Sequence, residues 1–194
     1  MEELKQHIDE CEGIQPMYEA FYSEAIQFNL VSALTSIELL VETLKKMNEL
    51  EHSAELNNLV LNSIQNILLH SANVSKYFWP INNGINKIHK KRAQKLRRLF
   101  GVSDNSPLRN KELRNHLEHL DENLDKYLWS KPIVGNVIPA YVGREMTRNE
   151  VPYHFFRAFF TESAVFESLG VRLELQPIVD ELYEIYGKSE NQDL

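Results

Sequence analysis

The chain has 194 residues, of which 43% are hydrophobic and 25% charged, and its formal net charge is −7. This length suits one domain with a substantial core, and the acidic balance argues against indiscriminate nucleic-acid binding. Cys11 is the single cysteine, which excludes an internal disulfide and a cysteine-based zinc site. The amino-terminal residues lack the pattern of a secretory signal, and apolar runs such as 39–41 are too short to cross a bilayer. We therefore expect a cytoplasmic protein without a membrane span.

Long helices are predicted in the first half of the chain. Gly13 and Pro16 end a short first helix, and a second helix begins near Met17. Its apolar residues recur every three or four positions, as on one face of a helix: Tyr22, Ile26, Leu30, Ala33, Ile37, Leu40, Leu44 and Met47. Ser53 is a candidate N-cap for the next helix. The apolar face of that helix comprises Leu56, Val60, Ile64, Ile67, Leu68, Ala72 and Phe78, and Pro80 stops it.

Two further helices are predicted before residue 132. A basic segment, 87–100, is expected to be helical, with Gly101 as its stop. Ser106 followed by Pro107 is typical of an N-cap and a first helical position, so a last helix should run from Pro107 to about Trp129. Pro132 prevents its continuation.

The stretch after Pro132 is predicted to be rich in loops, because Gly135, Pro139, Gly143 and Pro152 punctuate it. Residues 153–160 and 164–175 are rich in aromatic and β-branched residues, which indicates two or three short strands in a hairpin or meander. A closing helix is expected at 176–186. The fold class is therefore mainly α: a helical bundle over 1–131, a β appendage and closing helix over 132–187, and a disordered tail over 188–194.

Positive charge is concentrated in one part of this acidic chain. Residues 76–111 hold ten Lys and Arg and one acid, whereas the remainder holds eleven bases and twenty-seven acids. Such a segment favours local binding of a polyanion such as RNA, although it is equally typical of a solvated helix face. The candidate RNA-binding residues are Lys87, Lys90, Lys91, Arg92, Lys95, Arg97 and Arg98.

The residues best suited to chemistry lie on the predicted helix from Pro107. Asn115 and His119 are one turn apart and fall opposite an apolar stripe of Leu113, Leu117, Leu120, Leu124 and Leu128, with Arg114 on the flank. Cleavage of RNA by its own 2′-hydroxyl needs a group that moves protons near neutral pH and a cation that stabilises the charge on phosphorus-bound oxygens. His119 and Arg114 could supply these without a metal. An exposed Arg114–Glu118 ion pair with no catalytic role is the alternative interpretation.

The run 114–119, with Arg114, the polar Asn115 and then His119, resembles the Arg–polar–His motif of HEPN domains. These are helical bundles common in prokaryotic toxin–antitoxin and phage-defence systems, and the resemblance covers roughly residues 15–130. It implies a metal-independent endoribonuclease with Arg114 as phosphate stabiliser, Asn115 as positioning residue and His119 as proton-transfer group. It also implies a homodimer that shares one cleft, an RNA substrate, and an antitoxin or nucleotidyltransferase partner. His116 falls outside the motif.

A second hypothesis is a HEPN-like module that binds a protein or nucleotide partner without cutting RNA, and a third is an unrelated helical scaffold. No cofactor or metal is predicted, because the histidines and acids outside the motif do not have the spacing of metal ligands.

Overall fold

A computed structural model describes residues 2–49, 53–110, 115–116, 118–130, 132–146 and 151–190 of the chain. Six α-helices lie within these residues, joined in part by short 3-10 turns. They are α1 (Glu2–Glu10), α2 (Glu19–Glu49), α3 (Ala54–Phe78), α4 (Ile88–Leu99), α5 (Leu120–Ser130) and α6 (Gln176–Glu190). The 3-10 turns are Pro16–Tyr18, Ile85–Lys87 and Pro107–Arg109. The mainly helical fold predicted from the sequence is confirmed.

The core lies between α2, α3 and α6. Ile26 and Leu30 of α2 meet Ile64 and Leu68 of α3, and all four side chains are fully buried. Leu182 of α6 closes the same cluster. Burial of each such side chain contributes about 1.5–3 kcal/mol to folding, so the apolar stripes of α2 and α3 determine the body of the fold.

Several predicted helix boundaries are confirmed. The Ser53 side chain accepts a hydrogen bond from the Leu56 backbone N–H at 3.2 Å, as an N-cap does. Helix α3 ends at Phe78, whose buried ring packs on Phe100 with 5.8 Å between centroids. Gly101 follows α4 in the left-handed region, with φ of 60°.

The prediction of one helix from Pro107 to Trp129 is wrong. Ser106 does cap Pro107, but the result is a 3-10 turn that ends at Asn110 with extended backbone angles (φ −61°, ψ 111°). The reason is tertiary: Leu108 is buried, and its carbonyl accepts a hydrogen bond from the Ser75 hydroxyl of α3 at 2.6 Å. Helical conformation is present at 115–116 and 118, and α5 proper begins at Leu120.

The sheet has four strands in the order β1 (Asn136–Gly143), β2 (Tyr153–Phe160), β3 (Val165–Ser168) and β4 (Val171–Glu174). Strands β2 to β4 form an antiparallel meander, whereas β1 runs parallel to β2. The expectation of two or three strands is therefore wrong, since β1 falls in a stretch predicted as loop. Pro139 is tolerated because β1 is an edge strand, and the register between β1 and β2 skips this residue alone.

The aromatic residues of the sheet divide between two clusters. Phe159 and Phe166 join the core of the bundle. Phe155 and Phe160 pack against each other in a smaller cluster, with 5.6 Å between ring centroids. The sheet is thus fixed to the bundle on one side and carries its own small core.

Helix α6 extends further than predicted. Residues 188–190 form its last turn, where the Lys188 ammonium donates to the Gly101 carbonyl at 2.9 Å. The predicted disorder is therefore wrong for these three residues, and 191–194 lie outside the described residues.

Helix α2 is long and apolar. Together with the 3-10 turn before it, it forms the one stretch, Pro16–Glu49, within the described part of the chain that could cross a bilayer by length and composition. In the structure it packs along α3 and buries nine of its side chains. That placement is the one expected of a core helix in a bundle.

Candidate functional site

The structure describes two of the three motif residues, Asn115 and His119. Arg114 lies outside the described residues. Asn115 is helical and exposed, and its carbonyl accepts a hydrogen bond from the His119 backbone N–H at 3.2 Å. The His119 carbonyl in turn accepts from the Asn123 N–H at 2.9 Å. These bonds connect the motif segment to α5 and confirm that Asn115 and His119 are neighbours on one helical turn.

His119 points away from the core. Its side chain is 55% exposed, and its Nδ1 lies 3.7 Å from the Glu122 carboxylate. This contact is longer than a hydrogen bond. The prediction that the motif face turns to solvent is therefore confirmed for His119.

His116 lies beside His119 but in a different environment. It is half-buried, and its Nε2 is buried without a hydrogen-bond partner among the described residues. Burial lowers the pKa of this imidazole below its usual value of 6.5, because the charged form is less well solvated. His116 is therefore neutral at neutral pH, the state in which an imidazole can accept a proton.

An open cleft of about 570 Å³ runs along this helical segment. It combines two imidazoles, two amides, an ammonium and a carboxylate with one aliphatic side chain from the start of β4. Its lining residues are Asn115, His116, His119, Glu122, Asn123, Lys126 and Val171. The structure therefore brings the described motif residues, Asn115 and His119, into one cleft.

Sequence reasoning missed five of the seven lining residues of this cleft, among them His116, Asn123 and Lys126. The sequence did contain a pattern that groups the cleft residues, because positions 116, 119, 123 and 126 are spaced by three, four and three residues. This is the spacing of one helix face. The leucines at 120, 124 and 128 instead predicted that a different face of the helix packs on the core. They prove to be poorly packed, since none of the residues of α5 is buried.

The acids near the motif have basic partners. The Glu118 carboxylate lies 2.5 Å from the Lys76 ammonium of α3. Glu122 lies 4.0 Å from Lys126 on the next turn. Pairing of this kind reduces the repulsion that a phosphate would meet in the cleft.

Three basic side chains of helix α4 form ion pairs with acids among the first nineteen residues of the chain. Lys91 pairs with Asp9, Lys95 pairs with Glu19, and Arg98 lies 2.5 Å from Glu12. Gly13 makes this contact possible, because a Cβ there would lie 2.7 Å from the Arg92 backbone nitrogen. Three of the seven predicted RNA-binding bases are thus neutralised within the chain.

The arginines at 92 and 97 also have internal partners. The Arg92 guanidinium lies over the rings of Tyr22 and Tyr77, at 5.7 and 5.8 Å. Arg97 donates to the Phe78 carbonyl at 2.5 Å and lies 3.5 Å from Asp104. Lys87 and Lys90 make no ion pair with another described residue. The segment is helical and basic as predicted, but most of its charge stabilises the fold.

A scan of protein-family models, a search of curated proteins and a search of solved structures found no match to this chain. The HEPN resemblance therefore rests on residues 114–119 and the order of helices. Among the described residues, no three His, Cys, Asp or Glu side chains are grouped in a way that could hold a metal ion.

Proposed function

We propose that this protein is a HEPN-like, metal-independent endoribonuclease that acts as a homodimer and serves as a toxin or phage-defence component. The observation that carries the proposal is the cleft that Asn115, His116 and His119 share. Two imidazoles in one cleft can divide the two proton transfers of phosphodiester cleavage between them.

In the proposed reaction, a neutral imidazole accepts the proton of the RNA 2′-hydroxyl as its oxygen attacks phosphorus. The bond from phosphorus to the 5′-oxygen breaks, and a protonated imidazole donates a proton to that leaving oxygen. His116 suits the first role because burial keeps it neutral. The motif assigns His119 to the second role, and its exposed side chain is accessible to the leaving oxygen. Arg114 is assigned to the phosphate by the motif alone.

Substitution of His119 tests the proposal. His119→Ala should lower the rate of RNA cleavage by about 10²–10⁴, as loss of an acid–base group does, with little change in Tm because the side chain is exposed. Arg114→Ala should lower the rate by about 10²–10³. His7→Ala, an exposed change on α1, is the matched control. Cleavage that survives both motif substitutions would remove these residues from the mechanism.

The second candidate is a non-catalytic HEPN-like module that engages a protein or nucleotide partner. The internal pairing of Lys91, Lys95 and Arg98 favours it, because these bases are not free to bind RNA phosphates. A wild-type protein that cleaves no RNA, yet co-purifies with a nucleotidyltransferase encoded beside it, would support this candidate.

A further inference from the structure

The cleft at His119 adjoins a second cavity of about 280 Å³ further along α5. Four residues line both cavities: His116, Asn123, Lys126 and Val171. His119 lines the first cavity, whereas the Lys126 side chain brings a positive charge to both. Lys126 is therefore a cation at the place where the two cavities meet.

Lys126 lies on the same face of the helix as His119. The seven residues from one to the other make close to two full turns, at 3.6 residues per turn. At 1.5 Å per residue, the two positions are about 10.5 Å apart along the helix axis. One strand that follows this face can therefore place one phosphate at His119 and another at Lys126.

The ion pair that Lys126 makes with Glu122 is loose. The Lys126 side chain is 73% exposed, and its Nζ lies 4.0 Å from the Glu122 Oε2. The other oxygen of the same carboxylate, Oε1, lies 3.7 Å from the His119 Nδ1. The carboxylate thus lies between the imidazole and the ammonium. Exposed pairs of this kind contribute little to stability, so a phosphate that offers a shorter, charge-assisted contact can displace the carboxylate.

Asn123 adds a hydrogen-bond donor beside Lys126. Its amide Nδ2 donates to the His116 carbonyl at 3.4 Å, which is long for a hydrogen bond. A side-chain amide has a second N–H proton, and no described residue accepts it. An ammonium and an amide N–H on one face are donors that suit the oxygens of a phosphodiester.

We propose that Lys126 is a second phosphate-binding residue of the cleft, which takes a phosphate of the same RNA strand next to the one at His119. The inference rests on the proposed function for its ligand class. In the free protein the Glu122 carboxylate lies near the Lys126 ammonium, and the phosphate displaces it on binding. Asn123 donates to the same phosphate. Such contacts position a strand without reading its sequence.

Binding of a non-cleavable strand tests the subsite independently of catalysis. A short 2′-O-methylated uridine oligomer is titrated into the full chain at several salt concentrations, and fluorescence anisotropy gives each Kd. Lys126→Gln should weaken binding about fivefold and reduce the slope of log K against log salt by about 0.7, the value of one phosphate contact with a single strand. Glu122→Gln should tighten binding, because no carboxylate then competes with the phosphate. Both side chains are mostly exposed, at 73% and 61%, so Tm should be unchanged.

The matched controls remove the same charges elsewhere. Lys45→Gln is an exposed change near the carboxyl end of α2, and Asp125→Asn is an exposed change on α5 that lines neither cavity. Both should bind the strand about as the wild type does. An equal loss of affinity in Lys126→Gln and Lys45→Gln, an unchanged salt slope in Lys126→Gln, or no binding by the wild type would overturn the subsite.

Kinetics separate this inference from the proposed function. If the wild type cleaves RNA, Lys126→Gln should raise KM and leave kcat unchanged, because a contact with a phosphate that does not react is equal in the ground and transition states. A fall in kcat at unchanged KM would overturn the subsite and leave the endoribonuclease in place. Binding that depends on Lys126 as expected, with no cleavage of RNA, would support the subsite and refute the endoribonuclease.

Discussion

The Glu118 carboxylate lies 2.5 Å from the Lys76 ammonium, which ties the motif segment to the core helix α3. Both side chains are partly exposed, at 45% for Lys76 and 31% for Glu118, so the pair contributes at most about 1 kcal/mol. The pair holds the motif segment against α3. This matters because the described residues of α5 make few contacts with the core. The geometry of the cleft therefore depends on a small number of polar contacts.

The first prediction concerns His116. If the neutral imidazole takes the 2′-hydroxyl proton, His116→Ala should lower the cleavage rate, by up to about 10²–10⁴. Because burial lowers the pKa of His116 below 6.5, the wild-type rate should persist at pH 6.5 and fall at lower pH, where protonation removes the base. Initial rates measured across this pH range check both statements. A His116→Ala variant that cleaves at the wild-type rate would limit the proton transfers to His119.

The second prediction concerns stability and pH. Burial lowers the pKa values of both His70 and His116 below 6.5. The unfolded chain therefore binds protons that the folded chain resists, and stability should fall as the pH decreases through about 6.5 toward the folded pKa values. Above that pH the full stability is present.

Thermal melts on either side of this pH provide the measurement. His116→Gln should make Tm less dependent on pH, whereas His7→Gln, at an exposed position on α1, controls for the loss of an imidazole. A Tm that is constant or rises on acidification would contradict the prediction.

The third prediction concerns the basic helix. The double substitution Asp9→Asn and Glu12→Gln releases Lys91 and Arg98 from their partners. RNA binding should then become tighter at low salt. The slope of log K against log salt should steepen by about 1.4 for two added phosphate contacts with a single strand.

Glu2→Gln with Glu3→Gln is the matched control for this experiment. It removes the same charge from the first twelve residues of the chain but releases neither Lys91 nor Arg98. An equal gain in affinity for both double variants would show that net charge, and not the release of these bases, governs binding.

The fourth prediction concerns the homodimer. Leu128 and Trp129, at the end of α5, are 47% and 88% exposed. If this end of α5 lies in the subunit contact, Trp129→Asp should convert a dimer into a monomer in light scattering. Ile81→Asp, at a residue 75% exposed elsewhere on the chain, should leave the dimer intact. A wild-type chain that is monomeric at tens of micromolar would refute the homodimer.

The sequence by itself determined the bundle. Apolar residues at helical spacing favour a helix that buries them on one face. Ile26, Leu30, Ile64 and their neighbours are buried in this way, so their periodicity predicted α2 and α3. Ser53 and Gly101 marked helix ends because capping is local chemistry.

Tertiary structure alone decided the rest, because contacts between distant residues have no local pattern. The Leu108 carbonyl bonds Ser75 and interrupts a helix that the sequence indicated was continuous. Strand β1 exists because β2 offers a parallel edge to it, despite Pro139. The acids at 9 and 12 reach α4 only through the folded chain, and Tyr127 meets His154 across 27 residues. Periodicity therefore fixed the core, whereas long-range packing fixed the polar contacts between distant segments of the chain.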